Sequence, residues 1–151
     1  MKLILKKVHS YAYLLSVALF YFLMYPLLYY FSRKPDTYKY MNKLRRAWGF
    51  LSSAFVGIFY RFTYEVPFDR TKTYIICPNH TSNLDISAMS VLVKSDVSFM
   101  GKEELTKGII TNLFFRTVDI PVNRDSKMSS FRAFKKAMEN LSLGITMIIF
   151  P

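Results

Sequence analysis

The chain has 151 residues, a formal net charge of +11 at pH 7 and 52% hydrophobic residues. This length predicts a single domain with a sizeable core, and the single cysteine, Cys77, excludes an internal disulfide. The cations lie mostly in residues 1–73 and adjoin a long apolar segment. We therefore expect membrane phospholipids as a partner and no nucleic acid.

Residues 11–31 form an apolar stretch without charges, YAYLLSVALFYFLMYPLLYYF, with tyrosines near both ends. About 20 such residues can cross a hydrocarbon core, and aromatic ends are typical of the membrane interface. The stretch is too long for the apolar part of a signal peptide, so it predicts a retained anchor. The basic residues 33–46 follow, and we expect them to bind anionic headgroups on the cytoplasmic side of the cell membrane.

A second apolar segment, residues 47–62, is shorter than a spanning helix. It predicts either a helix that dips into one leaflet or a helix that packs on a soluble domain, and both alternatives stay open. We expect a boundary here, with membrane-anchoring helices in residues 1–62 and an α/β domain in residues 63–151. A short strand at residues 64–67 would open that domain.

Strands and helices alternate from residue 74 onward. Apolar runs predict strands at residues 74–77, 97–100, 118–122 and 145–150. Helices are predicted at residues 84–94, from residue 103 to 116, and from a cap at Ser129 or Ser130 to Gly144. The last helix would bury the apolar side chains Phe131, Phe134, Met138 and Leu141.

This alternation predicts an α/β fold with a mixed, largely parallel sheet flanked by helices. The final predicted strand runs to the end of the chain. We therefore expect a domain that is incomplete at its C-terminus.

A histidine and an aspartate follow the first predicted strand, in the run Asn79-His80-Thr81-Ser82-Asn83-Leu84-Asp85. With Asn83 as N-cap, Asp85 would lie in the first helical turn and hold one imidazole nitrogen of His80. The other nitrogen would then accept a proton from an alcohol. The spacing alone equally fits a loop histidine beside an aspartate that stabilises a helix N-terminus.

Two cations, Lys102 and Arg124, follow the next two predicted strands, and their side chains suit a phosphate. Cys77 is expected to be a small buried residue of its strand. We expect no metal, because two distant histidines and one cysteine form no ligand cluster. A serine hydrolase is excluded by the lack of a Gly-x-Ser-x-Gly motif.

Several motifs resemble, in order and spacing, those of the 1-acylglycerol-3-phosphate O-acyltransferases, the glycerolipid acyltransferases with an N-H-x4-D box. The matching stretches are Asn79-His80 with Asp85, Gly101-Lys102-Glu103-Glu104-Leu105, Ile120-Pro121-Val122-Asn123-Arg124, and Phe150-Pro151 as the first two residues of a third box. The resemblance covers essentially the whole chain, including the N-terminal membrane-binding helices.

The resemblance implies transfer of a fatty acyl group from a thioester of CoA or acyl carrier protein to lysophosphatidic acid, giving phosphatidic acid in phospholipid biosynthesis. His80 and Asp85 would be catalytic, and Arg124 and Lys102 would bind the phosphate of the substrate. Asn79 would either bind substrate or orient the turn. No cofactor is implied beyond the acyl donor. Two alternatives stay open: an acyltransferase for another lysolipid, and a non-catalytic, truncated protein that binds the membrane surface.

Overall fold

The computed structural model describes residues 2–69 and 71–150. Five α-helices and four β-strands are found among these residues. In chain order they are α1 (Lys2–Ser32), α2 (Tyr38–Phe55), β1 (Ile75–Ile76), α3 (Leu84–Leu92), β2 (Val97–Lys102), α4 (Asn112–Phe115), β3 (Ile120–Val122), α5 (Lys127–Ser142) and β4 (Thr146–Ile149). Short 3₁₀ helices lie at Pro35–Thr37 and Glu103–Lys107. The predicted third-box residue Pro151 lies outside the described residues.

The four strands form one parallel sheet in the order β1-β4-β2-β3. The predicted α/β architecture is therefore confirmed. Helix α3 connects β1 to β2, whereas α5 connects β3 to β4 in the opposite direction along the sheet. Because such crossovers are right-handed, the two helices cover opposite faces. The carboxyl ends of all four strands meet at one edge, and the loops after β1, β2 and β3 leave from it.

Side chains of alternate residues in the strands supply two cores, one on each face. On the α5 side, Met100 and Met147 pack with Ala133 and Ala137. On the α3 side the core consists of Val93, Val97, Phe99 and Ile148. The sheet is thus buried between helices, as a parallel sheet requires.

Helix α5 corrects two predictions. Its N-cap is Ser126, whose hydroxyl accepts the N–H of Ser129, and not Ser129 or Ser130. Three of the four side chains expected in the core are exposed, Phe131 at 67%, Phe134 at 61% and Met138 at 70%. The buried face is formed by small residues instead, because these let the helix approach the sheet closely.

Several boundaries also differ from the predictions. Helix α2 begins within the basic segment and ends at Phe55, and no strand forms at residues 64–67. The helical stretch expected after β2 is divided into a 3₁₀ helix and the short α4. Strand β1 has only two residues and lies at the sheet edge, so Cys77 follows it and is exposed rather than buried.

Helix α2 packs on the α/β domain. This is the second of the two alternatives that the sequence left open for residues 47–62. Gly49 lies against Ser87 of α3, where an added Cβ would be 3.3 Å from the Ser87 carbonyl oxygen. On the other side α2 packs against α1, where Trp48 Nε1 donates to the carbonyl of Val17 at 2.9 Å. The two N-terminal helices therefore form a hairpin fixed to the domain.

Two arginines of the basic segment do not face a membrane surface, which corrects the headgroup prediction for them. Arg45 Nη1 lies 3.0 Å from Asp119 Oδ1, and the two side chains are 4% and 5% exposed. The guanidinium of Arg45 also lies over the rings of Phe99 and Phe114. Arg46 donates to the carbonyl of Val93 at 3.1 Å. Both side chains hold α2 on the domain.

Among the described residues, one helix is long and apolar enough to cross a membrane, at Ile4–Ser32. Its apolar side chains divide between two faces. Tyr21 and Leu28 are buried against α2 and α4, whereas Leu15 and Leu23 are each 71% exposed. The buried face makes α1 part of the folded structure, and the exposed face is a large apolar surface.

Candidate active site

The loop from β1 to α3 brings His80 and Asp85 together. The distance between His80 Nδ1 and Asp85 Oδ2 is 3.3 Å, and the side chains are 36% and 27% exposed. This contact engages Nδ1 of the imidazole, so Nε2 is the nitrogen left to accept a proton. The arrangement is the one that general-base catalysis by a carboxylate-oriented histidine requires.

Asp85 also organises the backbone of this loop. Its Oδ2 accepts the N–H groups of Thr81 at 2.8 Å and Ser82 at 2.9 Å. Partial burial raises the pKa of Asp85, but these two N–H groups and the neighbouring His80 outweigh it and lower the pKa below its ordinary value. The carboxylate is therefore ionised at neutral pH and available to His80.

The N-cap prediction is only partly met. Asn83 occupies the N-cap position of α3 and Asp85 lies in the first turn, but the Asn83 side chain makes no capping hydrogen bond. Ser82 supplies one instead, since its hydroxyl accepts the N–H of Leu84 at 3.2 Å. Asp85 therefore fits both interpretations. It is an anion in the first turn of α3, and it also contacts His80.

Phe150 contacts both this histidine and Arg124. The centroid of its ring lies 4.5 Å from that of His80, and its carbonyl accepts a hydrogen bond from Arg124 Nη2 at 3.2 Å. Arg124 itself is exposed, two residues after β3. The end of β4 thus gathers the histidine and the arginine around one residue, a role of Phe150 that no spacing in the sequence revealed.

Lys102 and Asn79 are less closely tied to the pair. Lys102 ends β2 beside Val122 of β3, so it shares the sheet edge with Arg124. Among the described residues, no hydrogen bond or ion pair links Lys102 or the Asn79 side chain to His80. Within the same residues, no group of three or more His, Cys, Asp or Glu side chains is arranged to hold a metal ion.

A family model described as Acyltransferase matches residues 60–151. The chain belongs to the acyltransferase family. The matched range contains His80, Asp85, Lys102 and Arg124, and it begins after α2. Comparison with curated proteins and with solved structures finds no match.

The acyltransferase domain contacts α1 beside the loop that carries His80 and Asp85, a contact that sequence reasoning missed. Tyr13 is 7% exposed, and its hydroxyl lies 2.7 Å from the hydroxyl of Ser87, two residues after Asp85. His9 Nε2 lies 2.9 Å from the carbonyl oxygen of Val56. The signal that could have revealed this contact is the spacing of the polar residues at the start of α1, which places Lys6, His9, Ser10 and Tyr13 on one helical face.

Proposed function

We propose that this protein is a membrane-bound 1-acylglycerol-3-phosphate O-acyltransferase. It transfers a fatty acyl group from a thioester of CoA or acyl carrier protein to lysophosphatidic acid, forming phosphatidic acid in phospholipid biosynthesis. The observation that carries this proposal is the 3.3 Å contact between His80 Nδ1 and Asp85 Oδ2 within a domain of the acyltransferase family.

The reaction needs one proton transfer in each direction. His80 Nε2 takes the proton of the acceptor hydroxyl while its oxygen attacks the thioester carbonyl. The C–O bond forms, the C–S bond breaks, and the leaving thiolate recovers the proton from the imidazolium. Asp85 holds the Nδ1–H tautomer and stabilises the imidazolium, so the substrate's hydroxyl takes the place of an enzyme serine and no acyl-enzyme forms.

The oxyanion of the tetrahedral intermediate requires hydrogen-bond donors other than the N–H groups of Thr81 and Ser82. These two N–H groups directly follow His80 in the sequence, but both donate to Asp85. They are therefore committed to fixing the loop, and stabilisation of the oxyanion falls to other groups.

The acceptor's phosphate is assigned to Arg124 and Lys102, with Asn79 near the reacting groups. The hydrogen bond from Arg124 to the Phe150 carbonyl supports this assignment, since Phe150 also contacts the His80 ring. Arginine offers two parallel donors to a phosphate, and lysine adds a second positive charge from the neighbouring strand.

The membrane geometry follows from α1. Tyr13 hydrogen-bonds to Ser87 and Leu28 packs with Phe114 and Val118, so residues 13–28 lie against the domain over about 22 Å of helix. A water-soluble domain cannot enter the hydrocarbon core alongside it. We infer that α1 lies in one leaflet of the cell membrane, with its exposed apolar face towards the hydrocarbon core and the domain on the cytoplasmic side.

The test is turnover by His80→Ala in the full chain on phospholipid vesicles, with palmitoyl-CoA or palmitoyl-acyl carrier protein and lysophosphatidic acid. We expect kcat to fall about 10²- to 10⁴-fold because the general base is lost, while vesicle binding stays unchanged. Lysophosphatidylcholine as acceptor tests the alternative lysolipid. If the wild-type protein binds vesicles but acylates neither acceptor, the non-catalytic alternative replaces this proposal.

A further inference from the structure

The start of α1 and the catalytic loop enclose a groove of about 160 Å³. Helix α1 contributes Lys6, His9, Ser10 and Tyr13 to it. Ser82 and Leu84 of the loop form the facing wall, and Ile58 after α2 completes the lining. Ser82 also donates its N–H to Asp85, so the groove adjoins the loop that holds the His80 and Asp85 pair.

The groove is held open by contacts at the inner end and at the base. The Tyr13 hydroxyl lies 2.7 Å from the Ser87 hydroxyl, which fixes the inner end to the first turns of α3. His9 Nε2 lies 2.9 Å from the Val56 carbonyl oxygen, where Gly57 turns the chain with a φ of +77°. The groove is therefore built into the packing of the helical hairpin on the domain.

Its chemistry changes along its length. From Tyr13 to Lys6 the helix advances about 10 Å at 1.5 Å per residue. Ser10, Tyr13 and Ser82 contribute hydroxyl groups, Ile58 and Leu84 contribute apolar side chains, and Lys6 is the lining residue of α1 farthest from Tyr13. None of the ion pairs among the described residues includes Lys6, so its charge is available to a ligand.

We propose that this groove binds the phosphopantetheine arm of the acyl donor, with Lys6 contacting its phosphate. The arm is a linear group with a sulfur at one end, two neutral amides and a dimethyl carbon between, and a phosphate at the other end. The sulfur end then lies at the loop wall of Ser82 and Leu84, and the phosphate end lies at Lys6. The proposal rests on the proposed function, since only a thioester donor brings this arm to the protein.

The groove also separates the two substrates. It adjoins Ser82 and Leu84 of the loop, whereas Arg124 contacts Phe150, the residue on which the His80 ring packs. Donor and acceptor phosphates then have different cationic partners, Lys6 for the donor and Arg124 for the acceptor. Coenzyme A and acyl carrier protein carry the same arm, so both donors fit this assignment.

The decisive comparison is Lys6→Ala with Lys7→Ala in the full chain, on vesicles of phosphatidylcholine with phosphatidylglycerol. Both variants remove one exposed charge from the same helical turn, but only Lys6 lines the groove. We expect Lys6→Ala to raise the KM for palmitoyl-CoA about tenfold or more, the effect of losing one charge-assisted hydrogen bond. Its kcat and its KM for lysophosphatidic acid stay unchanged, and Lys7→Ala behaves as wild type.

Two further donors sharpen the result. Palmitoyl-acyl carrier protein shows whether the same KM increase holds for the protein-borne arm. The palmitoyl thioester of N-acetylcysteamine has no phosphate, so wild type and Lys6→Ala should use it equally well. A KM increase for lysophosphatidic acid instead of the donor, or a loss of vesicle binding alone, would overturn the proposal in favour of an acceptor or lipid contact.

Binding without turnover separates this proposal from the proposed function. Calorimetric titration of coenzyme A and of 4′-phosphopantetheine into vesicle-bound His80→Ala protein needs no reaction. We expect binding of both, weakened about tenfold when Lys6→Ala is added. Equal binding by the two variants, or none by either, contradicts the groove assignment whatever the turnover assay gives.

Discussion

Asp85 is the residue on which the active-site loop depends most. Its carboxylate accepts the N–H groups of Thr81 and Ser82 and contacts His80 Nδ1, all through Oδ2. The first two contacts fix the loop, and the third fixes the tautomer of the histidine. One oxygen atom thereby couples the start of α3 to the imidazole of His80.

Asp85→Asn should affect catalysis more than folding. The amide keeps the shape but cannot stabilise the imidazolium, so we expect kcat to fall about 10²- to 10⁴-fold. Steady-state assays on vesicles measure this, with Asp125→Asn, an exposed loop carboxylate, as the control. An Asp85→Asn enzyme with wild-type kcat would show that the His80 contact has no part in the reaction.

The lowered pKa of Asp85 predicts a stability difference with a defined pH dependence. A carboxyl group whose pKa is lowered by folding stabilises the native state fully above its ordinary pKa of about 4, and loses this contribution as pH falls through the lowered value. The destabilisation of Asp85→Asn should therefore be present at neutral pH and shrink in strong acid. Urea unfolding at both pH values measures it.

At the scale of elements, the ion pair between Arg45 and Asp119 joins α2 to the start of β3. Asp119 Oδ1 also accepts the N–H of Phe99 at 3.0 Å, so one carboxylate links a helix and two strands. The rings of Phe99 and Phe114 lie against the guanidinium, and Trp48 stacks on Phe114 at 5.6 Å. The helical hairpin is thus fixed to the strands that lead to Lys102 and Arg124.

Asp119→Asn should destabilise the fold strongly. It leaves the charge of Arg45 buried without its partner, which costs about 3–5 kcal/mol. Urea unfolding measures the change, and Lys43→Ala, at an exposed position of the same helix, should stay within about 0.5 kcal/mol of wild type. A mild Asp119→Asn phenotype would mean that water reaches the pair and that the hairpin is held mainly by apolar packing.

For the individual elements, local sequence patterns predicted whether a segment is a helix or a strand better than they predicted which of its faces is buried. A helix was expected in the region of α5, although it begins at Lys127 rather than after Ser129 or Ser130, and Gly144, at a φ of +79°, follows its end as predicted. Its buried face was mispredicted, because the large side chains dominate a hydrophobic pattern whereas the alanines of the opposite face pack on the sheet. Cys77 was mispredicted for a related reason, since the sequence does not show that β1 is a short edge strand.

At the scale of the whole molecule, α1 carries the apolar surface by which we propose that the protein meets the membrane. Its exposed face carries Leu15 and Leu23, while the opposite face is buried against α2 and α4. The cations Arg33, Lys34, Lys39 and Lys43 at the junction of the two helices are exposed and remain suited to anionic headgroups. Together these features favour a helix in the plane of one leaflet.

Spin labels can measure this orientation. Nitroxides at Leu15→Cys and Leu23→Cys, in a Cys77→Ser background, lie about 12 Å apart along the helix axis. We expect equal membrane depths for both, and an aqueous environment for a label at Leu143→Cys in the α/β domain. Depths that differ by the full axial separation would show that α1 crosses the bilayer.

The features that local geometry governs were correctly predicted from the amino-acid sequence. His80 and Asp85 are five positions apart, so a single turn into α3 brings them together. The alternation of strands and helices determined the parallel sheet, whose common edge collects the residues that follow each strand. The apolar length of α1 was also evident, because it depends only on composition.

Features that depend on partners far apart in the sequence became visible only in the tertiary structure. Arg45 is separated from Asp119 by 74 positions, and so is Tyr13 from Ser87. No local pattern distinguishes Arg45, which is buried, from Lys43, which is exposed on the same helix. The physical reason is that desolvation and packing depend on which surfaces meet. Only the folded chain places the start of α1 beside the loop of His80 and Asp85.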